Sequence, residues 1–581
     1  MSSDKSQARY GSDIMADMLR LLDIDYAAML PGSTFRGLHD SVVNYLGNNK
    51  PEMILCAHEG IAIDVAAGYA MVTGKPMAAM VHNVVGLLNA ANDIYNAWLA
   101  KVPMLVIGGT GPMDIEKRRS GIDWIHTALV QGNVVRDYVK WDDQPSSIAG
   151  VIDSFIRAYQ IATTDPQGPV YICLDAGLQE GLLNDEIELP SMKRYPNPLS
   201  PQADGATIER VARLLVEAAN PVVITDRLAG RPGVVASLAA LAELLALPVI
   251  VRGGNFPNIH PLNLCGAEEE LLKEADVVLA LDVNDLNPIL TSVAYDTRQS
   301  TSIIPEGCQV VHFTPQHLAT RSWSHAYGKL VAVDLPITAD IALALPLLTT
   351  ACSGLLTEKR HAELRKRFDN LKARHEALRK QWQTMAENER NKSPIAIPWL
   401  AKQVWEEIKG ENFALVGNFR GWSDRLWDSE KPYPTIGGIG LGSGPGVSLG
   451  AALAYQPEGR LCIDFQPDGD FLFTPAALWT AAHHQIPLLV IMNNNRTYYN
   501  SERHQGIVAE TRGRPVENRG IGTRIEGPPV DYAALARSFG LHGVGPIDKP
   551  DDLRPALAEA IRVVKDKKQL ALVDVVTEPS R

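Results

Sequence analysis

Short runs of β-branched and other apolar residues recur along the chain, separated by amphipathic segments of helix length. The runs MAAMVHN (77–83), PMLVIGG (103–109), PVYICLD (169–175), PVVITD (221–226), PVIVRGG (248–254), VVLALDV (277–283), RLCIDFQ (460–466), PLLVIMN (487–493) and ALVDVVT (571–577) read as strands. They are nearly continuous in apolar character, which marks strands buried on both faces, and the spacing leaves room for crossover helices. The pattern predicts an α/β protein built from parallel sheets. Two stretches break it: SMKRYPNPLSPQADG (191–205), rich in Pro, Ser and charge, and the strongly charged helical segment TEKRHAELRKRFDNLKARHEALRKQW (357–382). The second is expected to present a solvated face and to end near Ser393-Pro394, because a residue before proline leaves the α region. The expected division is three α/β units, 1–190, 200–350 and 391–581, with a charged helical linker over 351–390.

Composition narrows the function. A chain of 581 residues is long enough for about three or four domains. With 55 Lys and Arg against 67 Asp and Glu the net charge is −12, which argues against a nucleic-acid partner. The six cysteines, Cys56, Cys173, Cys265, Cys308, Cys352 and Cys462, form no CxxC pair. Neither a disulfide framework nor a zinc site is expected, and a reducing compartment fits. The polar start MSSDKSQARYGSDIM has no apolar signal region, and the most apolar stretch, Leu238 to Val251, is too short for a bilayer and holds Glu243. A soluble, cytoplasmic protein without a membrane partner is the expectation.

Candidate chemistry concentrates in PDGDFLFTPAALWTAAHHQIPLLVIMNNNRTYYN (467–500). One strand runs into Asp468-Gly469-Asp470, and the next ends in Asn493-Asn494-Asn495. The two ends then lie side by side at the carboxyl edge of a parallel sheet, where α/β proteins bind ligands. A carboxylate, an amide oxygen and a backbone carbonyl are hard oxygen donors that suit Mg²⁺ shared with phosphates.

This Asp-Gly … Asn-Asn pattern, with Asn495 27 residues after Asp468, resembles the binding motif of thiamine-diphosphate-dependent enzymes. The resemblance implies the fold of that family: three doubly wound parallel-sheet domains, pyrimidine, central and diphosphate. It also implies Mg²⁺ held by Asp468, Asn495 and the carbonyl of Thr497, with Asn494 the alternative if the register shifts by one. Gly469, Asp470 and Tyr498 would border the cofactor. Pro467 departs from the family's usual glycine and lacks an N–H. A second match, CAHEGIAIDVAAGYAMVTGKP (56–76), resembles the catalytic-glutamate helix of the acetolactate-synthase and benzoylformate-decarboxylase branch. There Glu59 would hydrogen-bond N1′ of the aminopyrimidine and so promote formation of the C2 nucleophile. A third, IGGIGLGSGPGVSLGAALA (436–454), places Gly440 and Leu441 beneath the bent cofactor. Gly417, Asn418 and Phe419 align with a diphosphate-binding loop. Family members share the cofactor between two subunits, so a homodimer with shared sites is implied, and a tetramer is typical.

Within the family, His82 resembles an active-site histidine of benzoylformate decarboxylase and of the enzyme that hydrolyses cyclohexane-1,2-dione; near neutral pH it would shuttle protons. His126 is a further candidate in DWIHTALVQGN (123–133); acetolactate synthases carry a glutamine in this segment where Ile125 aligns, a departure that counts against acetolactate synthesis. Asn500 falls where the dione hydrolase has an active-site Asn. Tyr498, Tyr499 and His504 are candidate substrate contacts, whereas His483 and His484 read as structural. The segment 501–532 lacks an apolar period and reads as an irregular lid whose Arg503, Arg512, Arg514, Arg519 and Arg524 would attract an anion. In the central unit, TDRLAGRPG (225–233) has no GxGxxG and LDVNDLNP (281–288) no arginine, so FAD is not expected. The leading expectation is a thiamine-diphosphate- and Mg²⁺-dependent 2-oxo acid decarboxylase or carboligase acting on a small carbonyl substrate. A 1,2-diketone hydrolase or acetolactate-synthase-like enzyme is the alternative, and a non-catalytic subunit of the same fold is the reading from a different class.

Overall fold

The computed structural model describes residues 7–226, 233–251, 256–294, 297–316, 329–429, 435–436 and 440–579. All nine apolar runs contain strands, and the strands collect into three parallel sheets. The first has six strands in the order Glu52–Leu55, Tyr26–Met29, Met77–Met80, Met104–Thr110, Pro169–Asp175, Asp142–Asp143. The third also has six: Thr435–Ile436, Phe413–Val416, Leu461–Pro467, Leu489–Asn494, Ala571–Val576, His542–Ile547. Numbered within each unit, both sheets have the order 2-1-3-4-6-5. Between them lies a five-stranded sheet, Leu335–Thr338, Gln309–Thr314, Val277–Leu281, Pro221–Thr225, Val249–Val251. A short antiparallel pair, Thr291–Val293 with Ser300–Ser302, stands beside it. Every residue of Met104–Thr110 and Pro169–Asp175 is buried, which is why these strands read as unbroken apolar runs rather than alternating ones.

The first and third units share one core. The helix Glu59–Thr73 lies against the helix Gly444–Tyr455, and Ile61, Val65, Val447 and Ala451 belong to a single apolar cluster. The approach is backbone to backbone: a Cβ on Gly68 would stand 2.0 Å from the Val447 carbonyl oxygen, and one on Gly450 2.0 Å from that of Val65. Only glycine permits such a contact.

The charged segment forms one 31-residue helix, Glu358–Asn388, capped by the Thr357 hydroxyl. Much of it is exposed, as expected, but its basic residues also tie the units together. Arg367 donates to the carbonyls of Ala218, Ala219 and Leu245, and Arg379 to that of Trp427. All six cysteine thiols are free. No described helix is long and apolar enough to cross a membrane. In the central unit the loop over 227–232, most of the glycine-turn reading, lies outside the described residues.

Candidate active site

Three strand ends of the third sheet open a cleft of about 890 Å³. Its lining includes Gly417, Asn418, Gly440, Leu441, Asp468, Gly469, Asp470, Asn495, Thr497, Tyr498, Tyr499, Asn500 and Arg503, and every lining residue falls between 416 and 503. Asp468 stands where Leu461–Pro467 ends, 1% exposed. Its two oxygens accept the backbone N–H groups of Gly469 (2.8 Å) and Arg496 (2.6 Å), so the carboxylate is held at both ends. Burial pushes its pKa up to about 6, against the pull of those N–H donors. The Asn495 amide oxygen accepts from the Thr497 N–H at 3.1 Å, and both residues are buried at the cleft wall. Asn494 turns away, its amide donating to Asp574.

These donors fit a Mg²⁺ ion. A carboxylate, an amide oxygen and a carbonyl keep lone pairs beyond those used within the chain, and the cation would offset a carboxylate that burial disfavours. Among the described residues no group of three His, Cys, Asp or Glu side chains is arranged for a metal, so the set rests on one anion and neutral oxygens. The Tyr498 ring covers Gly469, where a Cβ would lie 2.6 Å from it, and its hydroxyl donates to the Gly469 carbonyl at 3.2 Å.

Several candidates take other positions. The Asp470 carboxylate folds back onto the turn ahead of Gly444: it accepts the Gly442 N–H at 2.5 Å and the Gln466 amide at 2.7 Å. It shapes the turn that carries Leu441, which is 51% exposed at the cleft mouth. Phe419 does not line the cleft. Its ring is fully buried, stacked on Phe465 at 4.3 Å. The loop around it is strained, with Phe419 and Arg420 both at positive φ (48° and 54°), a cost of about 1–3 kcal/mol each that marks functional segments. Arg420, absent from the sequence reading, lines the cleft. Burial lowers its pKa, and Asp468 opposes that shift.

The expected irregular segment after the cleft is instead partly helical. Tyr499–Thr511 is an α-helix followed by a 3₁₀ turn, Val516–Gly520. The helix forms because tertiary bonds hold it: Glu502 accepts from the Thr497 hydroxyl (2.7 Å) and from Arg524 (3.1 Å), with Arg519 at 3.6 Å. Arg519 and Arg524 are thereby engaged, and Arg503 is the one of the five arginines that borders the cleft.

A second cluster sits in the first unit. Glu59 opens its helix, 3% exposed, beneath the His58 cap, and accepts from the Asn89 amide at 3.2 Å. Gly86 separates it from His82: a Cβ there would lie 2.7 Å from Glu59 Oε1 and 2.8 Å from His82 Cβ. The His82 ring meets that of His126 edge to face at 4.7 Å. Its Nδ1 lies 2.9 Å from Thr34 Oγ1 and its Nε2 3.1 Å from Asn83 Nδ2. Burial, then His126, brings its pKa down to about 4. Thr34, Asn83 and Asn89 gave no sequence signal: Asn83 reads as an ordinary helix cap, and a single Thr or Asn elsewhere marks no site. His484 accepts from the Leu55 N–H at 2.8 Å and His483 stacks on Trp479, so both serve structure.

Comparison with known proteins matches both clusters to one family. Residues 9–132 match the N-terminal TPP binding domain of thiamine pyrophosphate enzymes, 208–348 their central domain and 416–575 their C-terminal TPP binding domain. The chain is 26% identical to the mitochondrial acetolactate synthase catalytic subunit of Aspergillus candidus, over 98% of this chain and 80% of that protein. It is 25% identical to the acetolactate synthase isozyme 3 large subunit of Escherichia coli K12, over 95% and 92%. Among solved structures, benzoylformate decarboxylase from Polynucleobacter necessarius superposes with a TM-score of 0.75 at 18% identity, covering 99% of both chains. The 4-hydroxybenzoylformate decarboxylase of Rhodococcus jostii RHA1 gives 0.72 at 19%, covering 98% of this chain and 99% of that one.

Proposed function

Because the chain belongs to the thiamine-diphosphate-dependent enzymes, we propose that it is a Mg²⁺-dependent 2-oxo acid decarboxylase or carboligase. When bound, the cofactor supplies nucleophilic addition to a carbonyl carbon, which allows the neighbouring C–C bond to break or form. The observation that carries the reading is the cleft floor, where Asp468, Asn495 and Thr497 converge beside Gly469 and Tyr498. Asp468, Asn495 and the Thr497 carbonyl hold the cation; Gly417, Asn418, Gly440 and Gly469 bring backbone close to the diphosphate; Leu441 supports the ring system. Glu59 anchors the pyrimidine, and a buried carboxylate beside an amide donor is positioned to keep a proton at one defined ring nitrogen. His82, His126 and Asn500 surround the reacting carbonyl. No flavin takes part.

The site is completed by a second copy of the chain. The cleft is walled by residues of the third unit alone, while Glu59 lies with Gly86 and Asn89 in the first. Val85 and Leu88, close to Gly86 in the chain, and Trp124 and Leu129, close to His126, are exposed by 46%, 57%, 75% and 78%, and in this reading supply apolar surface for that partner. A dimer with shared sites follows from this reading.

The names of the relatives favour carboligation as one outcome, and the histidine cluster favours protonation of the product as the other. Purified protein supplied with thiamine diphosphate and Mg²⁺ is to be screened against 2-oxo acids, acyloins and 1,2-diketones, with products identified by mass spectrometry. Turnover of a 2-oxo acid supports the reading. Hydrolysis of diketones alone would replace it.

A further inference from the structure

The Asn83 amide has only one orientation consistent with its surroundings. It caps the helix Val84–Leu99, and its Oδ1 accepts the Val85 N–H at 3.0 Å. The atom facing His82 Nε2 at 3.1 Å is therefore Nδ2, which can only donate. Nε2 must accept, so the proton of the neutral ring sits on Nδ1 and is donated to Thr34 Oγ1 at 2.9 Å. Gly32 closes the remaining side, since a Cβ there would come within 2.4 Å of Nδ1. Protonating Nε2 would set one N–H against another, or force Asn83 to abandon its cap.

His126 differs. Its Nδ1 is buried and has no hydrogen-bond partner among the described residues. A buried polar atom left unpaired costs about 1–3 kcal/mol, which a ligand atom would recover.

We propose that His82 is a fixed neutral imidazole, positioned by Asn83 and Thr34, and that His126 is the histidine that moves a proton at the substrate's carbonyl oxygen. This rests on the carbonyl chemistry proposed above. The oxygen gains a proton from the His126 imidazolium as its carbon is attacked, and returns it to the imidazole when the carbonyl re-forms, so the proton at this oxygen is balanced over the cycle; the proton that replaces CO₂ at carbon comes from solvent. The depressed pKa of His82 agrees with its fixed state. Glu59 stands across Gly86 from the His82 side of this pair. His82 then gives His126 an aromatic edge to rest on and restricts its rotation.

The test uses the full-length protein with thiamine diphosphate and Mg²⁺, labelled with ¹⁵N in its histidine rings. Wild-type His82 should show a protonated Nδ1 and a bare Nε2. Asn83→Asp keeps the capping oxygen but removes the amide donor, so His82 should gain an Nε2 proton in that variant. His126→Gln should lose about 10²–10⁴-fold in turnover per bound cofactor on whichever panel compound the wild type accepts. Its melting temperature and the exchange of the cofactor's C2 proton should stay unchanged, and His82→Gln should lose less. An Nε2 proton on wild-type His82, or wild-type turnover in His126→Gln, would overturn the inference. A wild-type protein inert to the whole panel would sink the functional reading and the substrate role of His126 with it, while the nitrogen spectra would still judge the state of His82.

Discussion

Asn494 and Asn495 are chain neighbours whose side chains turn to opposite sides of the sheet edge. Asn494 donates to Asp574 Oδ1 at 2.9 Å inside the sheet, and Asn495 faces the cleft. Successive residues at the end of a strand diverge in this way, so two look-alike amides have separate fates on substitution. Asn495→Ala should abolish Mg²⁺-dependent binding of thiamine diphosphate in calorimetric titration and barely move the melting temperature. Asn494→Ala leaves the buried Asp574 carboxylate short of a donor and should cost about 1–3 kcal/mol of stability, with cofactor affinity retained at temperatures where the protein is folded. The reverse pattern would place the metal on the other amide.

Glu59→Gln should keep the fold and the cofactor affinity and slow exchange of the C2 proton of bound thiamine diphosphate by about 10²–10⁴-fold. Deuterium exchange followed by quenched NMR reads this without any substrate. An unchanged rate would remove Glu59 from the pyrimidine.

Asp64 is fully buried, neither of its oxygens has a hydrogen-bond partner among the described residues, and it faces Asp93 and Asp470. Burial, then those two carboxylates, raises its pKa well above the ordinary value. Between its unfolded and its raised folded value such an acid is protonated in the folded chain and ionised in the unfolded one. Its stabilising contribution is complete below the unfolded value, near pH 4, and is lost as the pH rises towards the folded value. Asp64→Asn removes that dependence. The variant should match the wild type at about pH 4 and gain on it by up to about 1.4 kcal/mol per pH unit above, as measured by denaturant unfolding across a pH series. A difference that stays flat with pH would mean that Asp64 is ionised in the fold.

Gly86→Ala tests the spacing between Glu59 and His82. Alanine gains about 1 kcal/mol in helix propensity, but the new methyl would press on Glu59 Oε1 at 2.7 Å and on His82 Cβ at 2.8 Å. Overpacking costs about 1–3 kcal/mol, so the net change should be destabilising and C2 exchange should slow as well. A variant with a higher melting temperature and normal exchange would show that this corner has slack.

Nine of the seventeen strands described in the three parallel sheets were legible as apolar runs, three in each sheet, because burial on both faces writes itself that way, as in PVYICLD; the shorter and more exposed strands, such as Glu52–Leu55 and Asp142–Asp143, were not. The metal-binding candidates Asp468 and Asn495 were legible because two strand ends placed them side by side. Orientation was not legible. Asp468 and Asp470 are two residues apart and alike in type, yet one opens on the cleft and the other is tied to Gly442. Phe419 aligned with a binding loop, but its ring packs on Phe465. The helix Tyr499–Thr511 escaped notice because distant residues stabilise it: Glu502 is buried by Thr497 and Arg524, and no periodicity encodes a bond across 22 positions of sequence.

The glycine contact between the helices Glu59–Thr73 and Gly444–Tyr455 has a mechanical consequence. With main chain resting on main chain at Gly68 and Gly450, no layer of side chains lies between them to shear or re-pack. Glu59 begins one helix, and the turn carrying Leu441 leads into the other. In an assembly with shared sites, each chain would then act as a rigid strut joining half of one reaction centre to half of the next.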